Sequence, residues 1–285
     1  MELHDDDQPI GRVLSRREIL ALLGGAGAAM IVGTGFTKLT FGQVATATPT
    51  AMALPSCVVR PALTEGPYFV DHMLNRSDIR VLSDGSLKQG VPLRLKFNVS
   101  DVSADTCDPL EGAQVDVWHC DALGVYSGVN DPGFDTSDEN WLRGYQATDA
   151  YGNAEFVTVY PGWYSGRTVH IHFKIRTEPE AEAGYEFTSQ LFFDEALTDA
   201  VYTQQPYASK GERNTYNEDD GIFQGSEGLL TLDVSEDEDG GYSATFTIGL
   251  DLSEPAPTEA GGAGGPGGGR PGGRPGVRAT ATPAS

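Results

Sequence analysis

Pro-Gly-Trp-Tyr-Ser-Gly-Arg-Thr-Val-His-Ile-His-Phe-Lys-Ile, residues 161–175, decides how the chain is read. Its second half alternates: Ile171, Phe173 and Ile175 are apolar, whereas His170, His172 and Lys174 are polar. Successive side chains leave a strand on opposite faces, so a period of two marks a β-strand with its apolar side on a core. The same geometry puts both imidazoles on one face, ~6–7 Å apart at the backbone and within reach of one metal ion. Tyr164 and Arg167 stand just upstream, behind a Pro-Gly turn. This set of a phenol, a guanidinium and two imidazoles suits a metal with hard oxygen and borderline nitrogen ligands, and an anionic substrate. A His-x-His pair on a half-exposed strand is equally at home as surface decoration, so the rest of the chain has to decide.

Working outward, the period of two recurs. Leu93, Leu95, Phe97 and Val99 alternate with Arg94, Lys96 and Asn98, and Val115 and Val117 alternate with Asp116 and Trp118. Phe156–Tyr160 is β-branched and aromatic behind a turn at Asp149–Gly152, and Thr188–Phe193 reads as a further strand. Leu230, Leu232 and Val234 read as one arm of a hairpin, Tyr242, Ala244, Phe246 and Ile248 as the other, with Asp237–Gly241 joining them. A turn or two of helix is expected around Asp194–Thr203, and no long amphipathic helix occurs in the domain. The pattern predicts an all-β chain, an antiparallel β-sandwich with long loops over residues 54–252.

The ends read differently. Residues 1–53 form a signal and linker: Ser15-Arg16-Arg17-Glu18-Ile19-Leu20 leads into a Gly/Ala-rich apolar run, Ile19–Val32, which resembles a twin-arginine export signal. The run is shorter than the ~20 apolar residues of a comfortable span, so no stable membrane span is expected after signal removal. An uncleaved N-terminal anchor is the other reading. The expected location is outside the cytoplasm: periplasmic, cell-surface or extracellular. Residues 253–285 are rich in Gly, Pro and Arg, cannot bury a core and are expected to be disordered.

Of the 285 residues 39% are hydrophobic and 21% charged, enough for an ordinary core, and the formal net charge is −22. Such a chain is repelled by nucleic acid phosphates and anionic lipid, so neither is an expected partner. The acidic runs Glu178–Glu186, Glu218–Asp220 and Asp233–Asp239 read as solvated loops. Cys57, Cys107 and Cys120 all follow the signal. An oxidising compartment allows one disulfide, and Cys57–Cys107 is the expected pair because it would tie the segment before the first strand to the sheet. Sequence alone does not settle that pairing.

A second motif lies upstream, Gly112-Ala-Gln-Val-Asp-Val-Trp-His-Cys-Asp-Ala-Leu-Gly-Val-Tyr-Ser-Gly128. With the first, it resembles the intradiol ring-cleavage dioxygenases, the catechol and protocatechuate dioxygenase family. There a tyrosine ligand sits in an L-G-x-Y-S setting after a Val-x-x-Trp-His stretch, a second lies in a Pro-x-x-Tyr turn, and an arginine precedes a His-x-His pair. Leu63–Tyr68, Pro206–Ala208 and Asn217–Ile222 look like the family's flanking segments, so the likeness spans about residues 57–250. It implies a non-haem Fe(III) centre held by Tyr126, Tyr164, His170 and His172. Tyr164 would be the axial tyrosinate that dissociates and Tyr126 the one that stays, with His172 axial and His170 equatorial. Arg167 would stabilise charge developing on the substrate, and Gln190 matches a glutamine that hydrogen-bonds near the iron. The implied substrates are a small aromatic diol and O₂, cleaved between the hydroxylated carbons to a muconate-type diacid.

His119 is expected to be structural, and Trp163 either lines the pocket or packs under the turn. The acidic loop Asn130–Asn140 is expected at the pocket rim, where it disfavours a carboxylated substrate. The chain lacks the long helical N-terminal segment that forms the dimer interface of catechol 1,2-dioxygenases. Oligomeric state therefore does not carry over, and a homo-oligomer remains compatible with the sequence. Two other classes stay open: a non-catalytic exported β-sandwich binding module, and a zinc hydrolase or cupin-like ferrous oxygenase. The latter needs a third histidine or a carboxylate beside His170 and His172.

Overall fold

The computed structural model describes residues 57–103, 106–179, 184–238 and 240–257. The signal expected at residues 1–53 and the tail beyond residue 257 lie outside the described residues. Among the described residues eleven strands are formed: β1 (Pro92–Asp101), β2 (Asp108–Pro109), β3 (Gln114–Trp118), β4 (Asn130–Asp131), β5 (Phe134–Asp135), β6 (Arg143–Ala147), β7 (Asn153–Val159), β8 (His170–Arg176), β9 (Glu186–Phe192), β10 (Val234–Glu236) and β11 (Tyr242–Leu250). Two short helices follow β9: α1 (Glu195–Tyr202), where Asp194 caps the amides of Ala196 and Leu197, and α2 (Gly221–Gly225), capped by Asp220.

The strands make two main sheets. One runs β10-β11-β1-β2, with β7 also paired to β1; the other runs β6-β3-β8-β9. They pack face to face through the apolar halves of their alternating strands. Phe97 of β1 lies 5.3 Å from Phe173 of β8, and Phe173 lies 5.3 Å from Phe246 of β11, ring centre to ring centre. Leu93, Leu95, Phe97 and Val99, the residues whose periodicity announced β1, all point into this core.

Two details depart from the expected hairpin sandwich. The pairing of β1 with β11 is parallel, Leu93 opposite Tyr242 through Asp101 opposite Leu250, because the chain returns to β1 from the far end of the fold. The arm expected from Leu230 to Val234 pairs with β11 only over Val234–Glu236. Leu230 and Leu232 instead join the other sheet: the Phe192 amide donates to the Leu230 carbonyl (3.0 Å) and the Leu232 amide to the Phe192 carbonyl (2.9 Å). Alternation shows which side chains face a core; both sheets share this core, so it does not choose the partner strand.

On β8 both faces are buried. Its second face carries His170, His172, Lys174 and Arg176, and the segment around residues 61–76 crosses over it. Arg176 ties this strap down, donating to Asp71 (2.8 Å) and to Asp116 of β3 (2.9 Å). Lys174 pairs with Glu65 and Glu186, and the Leu63 amide donates to the Thr188 carbonyl at 3.0 Å. Gly66 of the strap lies against the His172 ring, where a Cβ would come within 3.3 Å of Cε1, so the strap also roofs the imidazole end of β8.

Cys57 and Cys107 form a disulfide across a separation of 50 residues, and Cys120 is free and buried. The bridge joins the start of the strap to the segment entering β2, as expected. Closing a loop of that length stabilises the fold by about 4 kcal/mol in the chain-entropy treatment. Replacing both cysteines by serine should lower unfolding free energy by up to that amount, measured by denaturant titration of oxidised wild type and variant.

His119 is fully buried and structural: one ring nitrogen bonds the Thr158 hydroxyl (2.6 Å), the other the Cys120 carbonyl (2.8 Å). Burial pushes its pKa down to about 4. Below pH ~6.5 the unfolded chain takes up a proton there that the folded protein refuses until about pH 4. Stability should thus fall as pH drops through that window, by about 3 kcal/mol at most. A wild-type protein losing no more stability between pH 7 and pH 4.5 than His119→Asn would contradict this.

Candidate metal centre

Four donor side chains expected from sequence meet on the strap side of β8. His170 and His172 share a face by strand geometry, and their Nε2 atoms face each other at 3.0 Å. The His170 Nδ1–H donates to the Thr168 carbonyl (2.7 Å), which fixes the tautomer and leaves Nε2 a bare lone pair. The His172 ring stacks on its cross-strand neighbour Trp118 at 5.0 Å and 6°. Tyr164 arrives on the turn after β7, and its hydroxyl donates to His170 Nε2 at 3.2 Å. Tyr126 arrives on the loop after β3, with its ring 5.8 Å from that of Tyr164 and 6.2 Å from that of His172. The Tyr126 loop is pinned by the Thr136 hydroxyl on the Tyr126 carbonyl (2.6 Å) and by Arg143 on the Ser127 carbonyl (2.6 Å).

The electrostatics are those of a cluster short of a cation. Burial raises the Tyr126 phenol well above its ordinary pKa, and the Tyr164 charge adds to this. Burial raises Tyr164 as well, against the opposing pull of Arg167. Both imidazoles are pushed down, first by burial, then by Arg167 at His170 and by His170 at His172. All four groups are thus neutral, and the buried Tyr126 hydroxyl and His172 Nδ1 lack a hydrogen-bond partner among the described residues. An orphaned buried hydroxyl costs ~1–3 kcal/mol. Neutral imidazoles whose Nε2 atoms converge are what a metal ion requires, and a cation there would reverse the penalty on the phenolates. Two donors that contact one ion at ~2.1 Å and at right angles lie ~3.0 Å apart, the separation found between the imidazole nitrogens. The donor set therefore fits a hard, highly charged transition metal. Among the described residues no group of three or more His, Cys, Asp and Glu is arranged around a metal position; what joins the two histidines is phenols.

Arg167 and Gln190 flank the cluster. The guanidinium donates to Asp220 (2.8 Å) and to the Gln190 side-chain oxygen (2.6 Å), and the Gln190 amide donates to the Thr64 carbonyl of the strap (2.8 Å). Asp220 corrects the expectation that its acidic run is a solvated loop: it is 3% exposed. Although burial alone would raise its pKa, the Arg167 charge and the Thr168 amide hold it below the usual carboxylate range. The sequence reading missed it because its neighbours Glu218 and Asp219 do face outward. A second missed residue is Tyr68, which stacks on Tyr126 at 4.4 Å, meets Tyr164 edge-on at 6.3 Å and donates its hydroxyl to Asp131 at 2.8 Å. That bond draws the acidic β4–β5 hairpin to the cluster, where a rim was expected. Trp163 is half-buried, donates to the Gly211 carbonyl (3.3 Å) and has Lys210 over its ring.

Residues 64–214 match the family profile Dioxygenase_C, described as a dioxygenase. A chlorocatechol 1,2-dioxygenase of Pseudomonas putida is 29% identical over 153 residues, 47% of this chain and 53% of that protein. One from Pseudomonas sp. strain P51 is 28% identical over 154 residues, 47% and 55% of the two chains. The chain thus spans about half the length of the curated relatives it matches. Among solved structures, an intradiol ring-cleavage dioxygenase from Tetranychus urticae superposes with a TM-score of 0.59 at 28% identity, covering 70% of this chain and 98% of that one. The family match runs from Thr64 in the strap to Asn214 and takes in Tyr126, Tyr164, His170 and His172, and by it this chain belongs to the dioxygenase family.

Proposed function

We propose that the chain is a non-haem Fe(III) dioxygenase that cleaves catechol-type aromatics between their two hydroxylated carbons, giving a muconate-type diacid. The observation that carries this reading is the convergence of two phenols and two neutral imidazoles in one buried cluster with no counter-charge. Tyr126, Tyr164, His170 and His172 would hold the ion. A ferric ion bound there would take the diol as a ligand and draw electron density from its ring, exposing a ring carbon to O₂. Both oxygen atoms end in the product, so breaking one carbon–carbon bond balances the reduction of O₂ with no external reductant.

The protein groups have separate tasks. A phenolate at Tyr164 would accept a proton from the incoming diol. Arg167, held by Asp220 and Gln190, presents a fixed positive charge to electron density building on the ring. Tyr68, Trp118 and Tyr126 line the site with rings. Arg167 is already engaged by a carboxylate, and Asp131 stands at the rim behind Tyr68. Both facts favour an uncharged catechol over one bearing a carboxylate. Export through the twin-arginine-type sequence at Ser15–Leu20 belongs to the same proposal, and the Cys57–Cys107 disulfide supports an oxidising destination.

Oxygen uptake over catechol, 4-methylcatechol, hydroxyquinol and protocatechuate, with product analysis, tests the reading. One O₂ per ring cleaved is expected, with higher kcat/KM on the three uncharged compounds than on protocatechuate. Tyr164→Phe and His170→Ala should each abolish turnover; full activity in either would remove that residue from the site.

A further inference from the structure

The two phenols reach the cluster on separate loops, one after β3 and one after β7, and neither loop is part of a sheet there. Their backbones are in close contact. The Asp121 carbonyl accepts from Gly124 within its own loop (2.8 Å) and from Gly162 of the other (3.0 Å). Glycine makes the approach feasible: a Cβ on Gly162 would lie 2.4 Å from the Asp121 oxygen, and one on Gly124, at φ +77°, would lie 2.0 Å from the Trp163 oxygen. The contact leaves two carbonyls, Leu123 and Trp163, directed at one point. The Lys210 ammonium occupies that point, donating to both oxygens, with the Trp163 ring 4.6 Å away. A Cβ on Gly124 would also strike it, at 2.2 Å from Nζ. Leu123 lies three positions before Tyr126, and Trp163 immediately before Tyr164.

We propose that Lys210 is a positioning residue: its ammonium staples the loop bearing Tyr126 to the loop bearing Tyr164 and so sets the spacing of the two phenols from outside the cluster. The inference rests on the reading above, in which both phenols serve one ion. A point charge with three rotatable donors suits this task, since each carbonyl takes one N–H and the arene faces the cation. The Asp121 end of the first loop is held independently by Lys88, at 2.8 Å from the Asp121 carboxylate. Losing Lys210 should therefore loosen the registration of the loops and not unfold them.

The test compares wild type, Lys210→Met and Lys210→Arg as full chains, by hydrogen exchange in the metal-free protein and by visible absorption after iron loading. In K210M, amides of residues 121–128 and 161–166 should exchange about tenfold faster or more while β8 and β9 keep wild-type protection. Its iron–phenolate absorption should shift or weaken, and kcat should fall with little change in KM. K210R should restore both signals. Wild-type exchange and absorption in K210M would overturn the proposal, and so would acceleration spread evenly over the sheets. Should K210M fail to fold, K210R decides: closed loops support the staple, and open loops under a protected sheet overturn it. A wild type without the absorption would sink the metal reading instead, leaving the exchange result to judge the staple alone.

Discussion

A strand buried on both faces is the constraint from which the site follows. The apolar side of β8 closes the sandwich core through Ile171, Phe173 and Ile175, and its other side must then bury His170, His172, Lys174 and Arg176. Buried polar side chains need partners. Lys174 and Arg176 find carboxylates on the strap and the neighbouring strands. His170 finds a carbonyl for one nitrogen, and the inward-facing nitrogens of the pair find each other and a phenol. The core pairing fixes the strand, and the strand fixes the two imidazoles.

What the cluster lacks is charge. Two phenols and two imidazoles in one dry space are each driven to the neutral form by burial. Arg167 contributes a positive charge nearby, but Asp220 balances it. A metal ion would reverse the preference, turning the penalty on each phenolate into an attraction and taking as ligands the imidazole nitrogens that here meet each other and a phenol. The same surroundings that make the metal-free cluster unfavourable would favour a loaded one, because a low-dielectric site strengthens the attraction between an ion and a phenolate.

Much of this was legible in the sequence for a physical reason. Strand periodicity is written in every second residue, so β1, β8 and the shared face of His170 and His172 could be read directly. Tyr126 was not readable that way, since a loop tyrosine has no periodicity, and only its motif singled it out. Contacts between distant segments left no local trace. Leu230 and Leu232 carry the alternation of a strand but not the name of its partner. Asp220 sits in an acidic run whose neighbours face solvent, so its inward turn toward Arg167 had no signature. Tyr68 over Tyr126 and Lys210 between two carbonyls depend on chain paths that meet only in the fold.

The most direct test is the visible and resonance Raman spectrum of iron-loaded protein, with metal analysis of the same sample. One ferric ion per chain, a burgundy colour and tyrosinate vibrations that diminish in Tyr126→Phe are the expected results. A colourless protein holding one iron per chain would contradict the account, since no phenolate would then be bound to the metal.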